Sequence, residues 1–312
     1  MKKKYAIGAD IGGSHISAVI MDLEEKKILT NSFATCKVDN KAKAEVILDS
    51  WKTALMKTIP DVNEEQIAGI GFAMPGPFDY EKGIAMFTHE VAKYENLHGL
   101  YVGEKLRSLL GLNESVLFRF MNDATSFAVG ESWIGKSANS ERSVAITLGT
   151  GFGSAFIESG IPVLDREDVP KMGCVWHLPF KKGIADDYFS TRWFIYNYQE
   201  RTGRFLPGVR EIAELASSDS IAAQLFQEFG TSLGEFLGTW LRKFNADCLV
   251  IGGNLTGAYH LFGPYLEEAL KQQHINIPVH LSELKETAAM IGSARLMEED
   301  FWEKVKPLLS KM

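Results

Sequence analysis

Cysteine is scarce in this 312-residue chain, and three scattered thiols, Cys36, Cys174 and Cys248, cannot build a disulfide framework. No two of them have the spacing of metal ligands. Long apolar runs are missing as well. Nothing approaches the roughly 18 residues that a membrane helix requires, and no leader segment precedes the first strand pattern, so a cytoplasmic location is expected. Basic charge is in the minority, with 33 Lys and Arg against 40 Asp and Glu for a net charge of −7. The cations are scattered along the chain, which argues against nucleic acid as a partner.

Against these absences stand two glycine-rich turns of one design. Gly8-Ala9-Asp10-Ile11-Gly12-Gly13-Ser14-His15 and Leu148-Gly149-Thr150-Gly151-Phe152-Gly153-Ser154 lie about 140 residues apart, each between apolar, β-rich stretches. A turn without side chains lets backbone N–H groups approach phosphate oxygens, and the neighbouring carboxylate of Asp10 can hold Mg²⁺ through water. Either turn alone is also what a plain hairpin looks like. A third segment, Cys248-Leu249-Val250-Ile251-Gly252-Gly253-Asn254, reads as a short buried strand ending in a glycine pair, against which an adenine ring can lie. Together they predict a nucleotide clamped between two lobes, which also suits a chain too long for one usual core.

Periodicity supplies the elements. Tyr5 to Met21 and on to Phe33 reads as a β-meander, Ala42 to Lys57 as an amphipathic helix and Ile67 to Phe72 as a buried strand. Val116 to Phe120 is a second buried strand that delivers Asn122 and Asp123 at its carboxyl end, followed by a helix over Ala124 to Trp133. Ser143 to Leu148 and Gly153 to Ile157 read as hairpin strands. The apolar stripe Ile221, Leu225, Phe229, Leu233, Phe236, Leu237, Trp240, Leu241 and Phe244 marks a long core helix, and another helix covers Ala288 to Met297.

The order of these parts resembles the ROK (repressor, open reading frame, kinase) family of the actin and hexokinase-like ATPase fold. Asp10-Ile11-Gly12-Gly13-Ser14 is similar to that family's first phosphate loop, Gly71-Phe72-Ala73-Met74-Pro75-Gly76-Pro77 to its Pro-Gly turn, and Met121-Asn122-Asp123-Ala124 to its catalytic segment. Leu148-Gly149-Thr150-Gly151 and Ile251-Gly252-Gly253-Asn254 are similar to the second phosphate loop and the adenosine turn. The resemblance implies a two-lobed α/β fold, related to ribonuclease H, with an inter-lobe cleft. The lobes are expected at residues 1–121 plus about 290–312, and at 122–289. It also implies a homodimer that uses ATP and Mg²⁺ on a small-molecule sugar.

The residues carry roles under that resemblance. A sugar hydroxyl is a poor nucleophile, and a carboxylate that orients it and takes its proton contributes roughly 10²- to 10⁴-fold. Asp123 is expected as that base, its other reading being a cap on the following helix. Asn122 offers an amide to orient sugar hydroxyls. Gly12, Gly13, Ser14, Gly149, Thr150, Gly151, Gly153, Gly252 and Gly253 are expected at the nucleotide, with Asn254 either at its ribose or starting a helix. Asn96 and Gly76 stand on the first lobe's sugar side.

The sugar motif departs from the family. Cys174-Val175-Trp176-His177 lies where the family has Glu-x-Gly-His, so His177 remains while Cys174 replaces a carboxylate and Trp176 a glycine. Asp186 falls on a second sugar-binding glutamate. Each has a plainer reading, a packed histidine and a solvated cap. The stretch Leu178 to Ala185 is short and lacks the cysteines of the family's zinc loop, so no structural zinc is expected. The function implied is a glucokinase-like sugar kinase, with polyphosphate as a variant donor. The alternative is a degenerate sugar-binding or regulatory protein of weak activity. A repressor would carry a helix-turn-helix ahead of the first loop, which here starts at residue 8.

Overall fold

The computed structural model describes residues 3–58, 64–89 and 93–312. These residues divide into two compact units, the first made of residues 1–135, 160–162 and 286–312 and the second of 136–159 and 163–285. The chain leaves the first unit after residue 135, not after 121 as the sequence reading drew it, because the Asp123–Ile134 helix packs within the first unit.

The first unit is built on a mixed sheet of β1 (Tyr5–Ile11), β2 (His15–Asp22), β3 (Lys27–Ile28), β4 (Ala34–Lys37), β5 (Ile67–Met74) and β6 (Leu117–Asn122), ordered β3-β2-β1-β5-β6 with β4 also on β2. β1 and β2 form an antiparallel hairpin, while β5 and β6 run parallel to β1. All eight residues of β5 are buried, as expected of a strand covered on both faces. One face of the sheet is covered over β2 and β4 by the Ala44–Thr58 helix, whose Ile47, Leu48, Trp51, Ala54 and Leu55 repeat at helical spacing and are buried. The other is covered by the Thr287–Ala294 helix, all apolar or small and buried from Ala288 to Ala294. Its backbone lies so close that a methyl on Gly71 would stand 1.8 Å from the Ser293 carbonyl oxygen, and one on Gly130 2.0 Å from that of Ala288. The expected Ala288–Met297 helix ends as α-helix at Ala294 and continues as a 3₁₀ turn over Arg295–Met297. Phe33 lies just outside a strand and is exposed.

The second unit repeats the arrangement. Its hairpin of β7 (Arg142–Leu148) and β8 (Phe152–Glu158) is joined by parallel β9 (Cys248–Gly252) and β10 (Val279–Leu281). The Ser220–Phe244 helix starts where Asp219 Oδ1 accepts the Ile221 and Ala222 N–H groups, and stops at Asn245 in the left-handed region. Its buried face of Leu225, Phe229, Leu233, Leu237, Leu241 and Phe244 fills the core beside Phe194, Phe226 and Phe262, with Phe194 and Phe226 centroids 4.7 Å apart.

Candidate active site

In the first unit the carboxyl ends of three parallel strands converge, the place where open α/β sheets put their chemistry. Asp10 stands near the end of β1, Gly76 just past β5, and Asn122 ends β6 with Asp123 opening the helix that follows. Part of Asp123 is open to solvent, yet enough protein surrounds its carboxyl that lost hydration pushes it above the usual carboxylate range. The Ala124 N–H, donating at 2.7 Å, and the charge of Lys93 pull the other way. Asp10 is pushed up to about 7, first by burial and then by the charges of Asp123 and Glu286.

Capping falls to Asn122 and not to Asp123. Asn122 Oδ1 accepts the Thr125 N–H at 3.1 Å, and its Nδ2 donates to the Tyr80 hydroxyl at 3.3 Å, which in turn donates to the Met74 carbonyl at 3.2 Å. That chain ties the end of β6 to the end of β5, next to the exposed Gly76. The Thr125 hydroxyl donates to the same Asn122 Oδ1 at 3.3 Å, so both lone pairs of that oxygen are engaged. The first glycine turn closes with Gly12 N–H donating to the His15 carbonyl at 2.9 Å, and Ser14 is exposed on it. Asn96 is exposed, and its Nδ2 donates to the carbonyls of Lys41 at 3.0 Å and Ala42 at 2.9 Å, so its donors hold the chain ahead of the Ala44–Thr58 helix.

In the second unit, Thr150 and Gly151 are exposed at the tip of the β7–β8 hairpin, and Gly153 lies in β8 opposite Thr147. Both ends of this turn are held by residues 186–192. The Phe152 N–H donates to Asp186 Oδ1 at 2.7 Å, the Thr191 N–H donates to the Gly149 carbonyl at 2.8 Å, and Arg192 pairs with Asp186 Oδ2 at 2.5 Å. Both carboxylate oxygens of Asp186 are therefore engaged. Its own N–H donates to the Trp176 carbonyl at 3.0 Å, linking the turn to the Cys174–His177 segment.

That segment is pinned by the Val175 N–H donating to Ser154 Oγ at 2.9 Å. Cys174 Sγ lies 3.7 Å from His177 Nδ1. Burial pushes the thiol up to about 11, so it is a neutral group at pH 7. Burial, and then the charge of Lys171, lowers His177, which leaves the imidazole neutral with one donor and one acceptor nitrogen. Trp176 is exposed and meets the His177 ring edge-on at 5.4 Å. Between this segment and Asp186, Pro179–Phe180 and Gly183–Ile184 form a two-stranded hairpin.

β9 ends at Gly252, and Gly253 takes φ 88° with no room for a side chain, since a methyl there would stand 2.3 Å from the Leu148 carbonyl oxygen. Asn254 makes no capping bond for the turn it opens. It lines a cavity of about 570 Å³ together with Leu255, Ala258, His260, Thr191, Val209 and Arg210. The volume suits a nucleoside. The sequence reading found only the Asn254 wall, because the Val209–Leu215 helix that forms the other carries no glycine motif.

Among the described residues no group of three or more His, Cys, Asp and Glu is arranged to hold a metal. The first unit nevertheless fits Mg²⁺, which keeps its waters and asks for one or two carboxylates plus phosphate oxygens. Asp10 beside Asp123 is such a donor, and a cation there would offset the burial and the repulsion from Asp123 that together raise Asp10.

The fold is that of the actin and hexokinase-like sugar kinases. The ROK crystal structure from Streptomyces griseus, a glucokinase with glucose and AMPPNP bound, superposes with TM-score 0.73 over 94% of this chain and 98% of that one, at 22% identity. The ROK family model matches residues 6–300, and the chain belongs to the ROK family. It is 25% identical to the glucokinase of Thermotoga maritima across 96% of this chain and 99% of that protein. It is also 25% identical to the N-acetyl-D-glucosamine kinase of Haemophilus influenzae across 88% of this chain and 89% of that protein. Among the described residues no helix is long and apolar enough to cross a membrane.

Proposed function

We propose that this protein is an ATP-dependent sugar kinase in which Asp123 accepts the proton of the attacking hydroxyl. The observation that carries the reading is Asp123 itself, a carboxylate held at the carboxyl end of a parallel strand, raised above the usual carboxylate range by burial and oriented by the Ala124 N–H. A base works best with its pKa near the operating pH. Asn122, fixed by Thr125 and Tyr80 beside Asp123, would orient the sugar through its amide N–H group. Asp10 would hold Mg²⁺ through water, and the ion neutralises charge on the phosphates when bound. The nucleoside would occupy the cavity beside Asn254, with its phosphates toward the Gly149–Gly153 turn. The similar glucokinases and N-acetylglucosamine kinase support a hexose or hexosamine as acceptor.

One observation favours a second reading. Cys174 offers a neutral thiol where the family has a carboxylate, and Asp186 is spent on Phe152 and Arg192. A sugar-binding or regulatory protein with weak turnover would tolerate both. A coupled ADP-release screen over hexoses, hexosamines and N-acyl hexosamines, with ATP and polyphosphate tested separately, decides between them. Turnover with any sugar, lost in Asp123→Asn, supports the kinase. Calorimetric binding of a sugar with no turnover for either donor supports the second reading.

A further inference from the structure

The turn after β1 is braced from behind by residues none of the glycine motifs contain. The Tyr94 hydroxyl donates to the Gly12 carbonyl at 2.5 Å, and Asn40 Nδ2 donates to the Gly13 carbonyl. Lys93, the neighbour of Tyr94, lies over the same turn, where a side chain on Gly13 would meet its Cε at 3.4 Å and its Nζ at 3.7 Å. Lys93 is half-buried, and among the described residues its ammonium makes no hydrogen bond or ion pair. The charge it faces is Asp123. With no direct contact to Asp123 among the hydrogen bonds and ion pairs, the ammonium stands over a turn whose backbone suits an anion.

We propose that Lys93 contacts the phosphoryl group received at the Gly12-Gly13 turn, adding a full positive charge to that turn's backbone N–H groups. The inference rests on the kinase reading. In the transfer, the sugar oxygen forms a bond to phosphorus as its proton passes to Asp123, and the bond to ADP breaks with its electron pair leaving on ADP. Negative charge spreads over the three equatorial oxygens meanwhile. A lysine at that point stabilises them without changing how the sugar is held.

The test uses the full chain with Lys93→Met, which keeps the length of the side chain, and Lys93→Arg, which keeps the charge. Calorimetry with sodium tripolyphosphate reads the phosphate contact without a sugar, and steady-state ADP release reads catalysis. Lys93→Met should weaken tripolyphosphate binding about tenfold and lower kcat about a hundredfold, with the sugar KM near wild type. Lys93→Arg should restore most of both. Wild-type affinity and kcat in Lys93→Met would overturn the contact, as would an Arg variant as defective as Met. A wild type that binds tripolyphosphate through Lys93 yet phosphorylates no sugar overturns the kinase reading and leaves the contact standing.

Discussion

At the scale of single residues, Asp123 and Asp186 show one functional group put to two uses. Asp123→Asn keeps size and helix geometry, so AMPPNP binding should persist while kcat falls roughly 10²- to 10⁴-fold. Because burial raises Asp123 and the proposed base must be ionised, kcat/KM should be lost as pH falls through a midpoint above about 4, the ordinary aspartate value. A midpoint at or below that value would remove Asp123 from the base role. Asp186 instead holds the second glycine turn through the Phe152 N–H, a charge-assisted bond worth about 1.5–3 kcal/mol. Asp186→Ala should therefore weaken AMPPNP at least about tenfold. Arg192 is 60% exposed where it meets Asp186, and such pairs contribute only about 0–1 kcal/mol, so Arg192→Ala should cost far less. Equal losses in the two variants, read by calorimetry, would show that the ion pair and not the N–H bond sets the turn. Cys174→Glu returns a carboxylate beside His177 and should raise kcat/KM for at least one common hexose, about tenfold per 1.4 kcal/mol regained. No gain with glucose, mannose or their N-acetyl amines would mean that the sugar is held elsewhere.

At the scale of elements, glycine separates packing from binding. Gly130→Ala drives a methyl into the Ala288 carbonyl and should cost about 1–3 kcal/mol or more, seen as a lower Tm. A methyl at Gly149 meets nothing within 4 Å, so Gly149→Ala should melt within about 0.5 kcal/mol of wild type. It should still lose AMPPNP affinity if phosphate approaches that backbone. Unchanged affinity would place the phosphates away from Gly149. Elements with strong local periodicity were legible in the sequence. The stripe from Ile221 to Phe244 foretold the Ser220–Phe244 helix, and the run from Ile67 foretold β5, because helical and strand spacing are written within a few residues. Pairings far apart in the chain were not. Asp186 meets Phe152 across 34 positions and Lys93 lies over Gly13 across more than twice as many, and neither leaves a repeat to read. The cavity wall over Val209 and Arg210 escaped for the same reason.

At the scale of the whole molecule, the two units share a plan, a glycine-tipped hairpin flanked by parallel strands, but only the second is nearly continuous in the chain. The first takes its covering helix, Thr287–Ala294, from beyond the second, and Gly71 and Gly130 shape the furrow that receives it. During synthesis the ribosome releases the whole of the second unit before that helix emerges, so the furrow stays open until the second unit has been made. A chain halted at Lys285 should then protect amides of β7 and β9 from hydrogen exchange while those of β1 and β5 exchange freely. Adding a synthetic peptide of residues 286–312 should restore their protection. Strong protection of β5 in the halted chain alone would show that the sheet matures without its last helix, and that the order of emergence leaves no vulnerable nascent state.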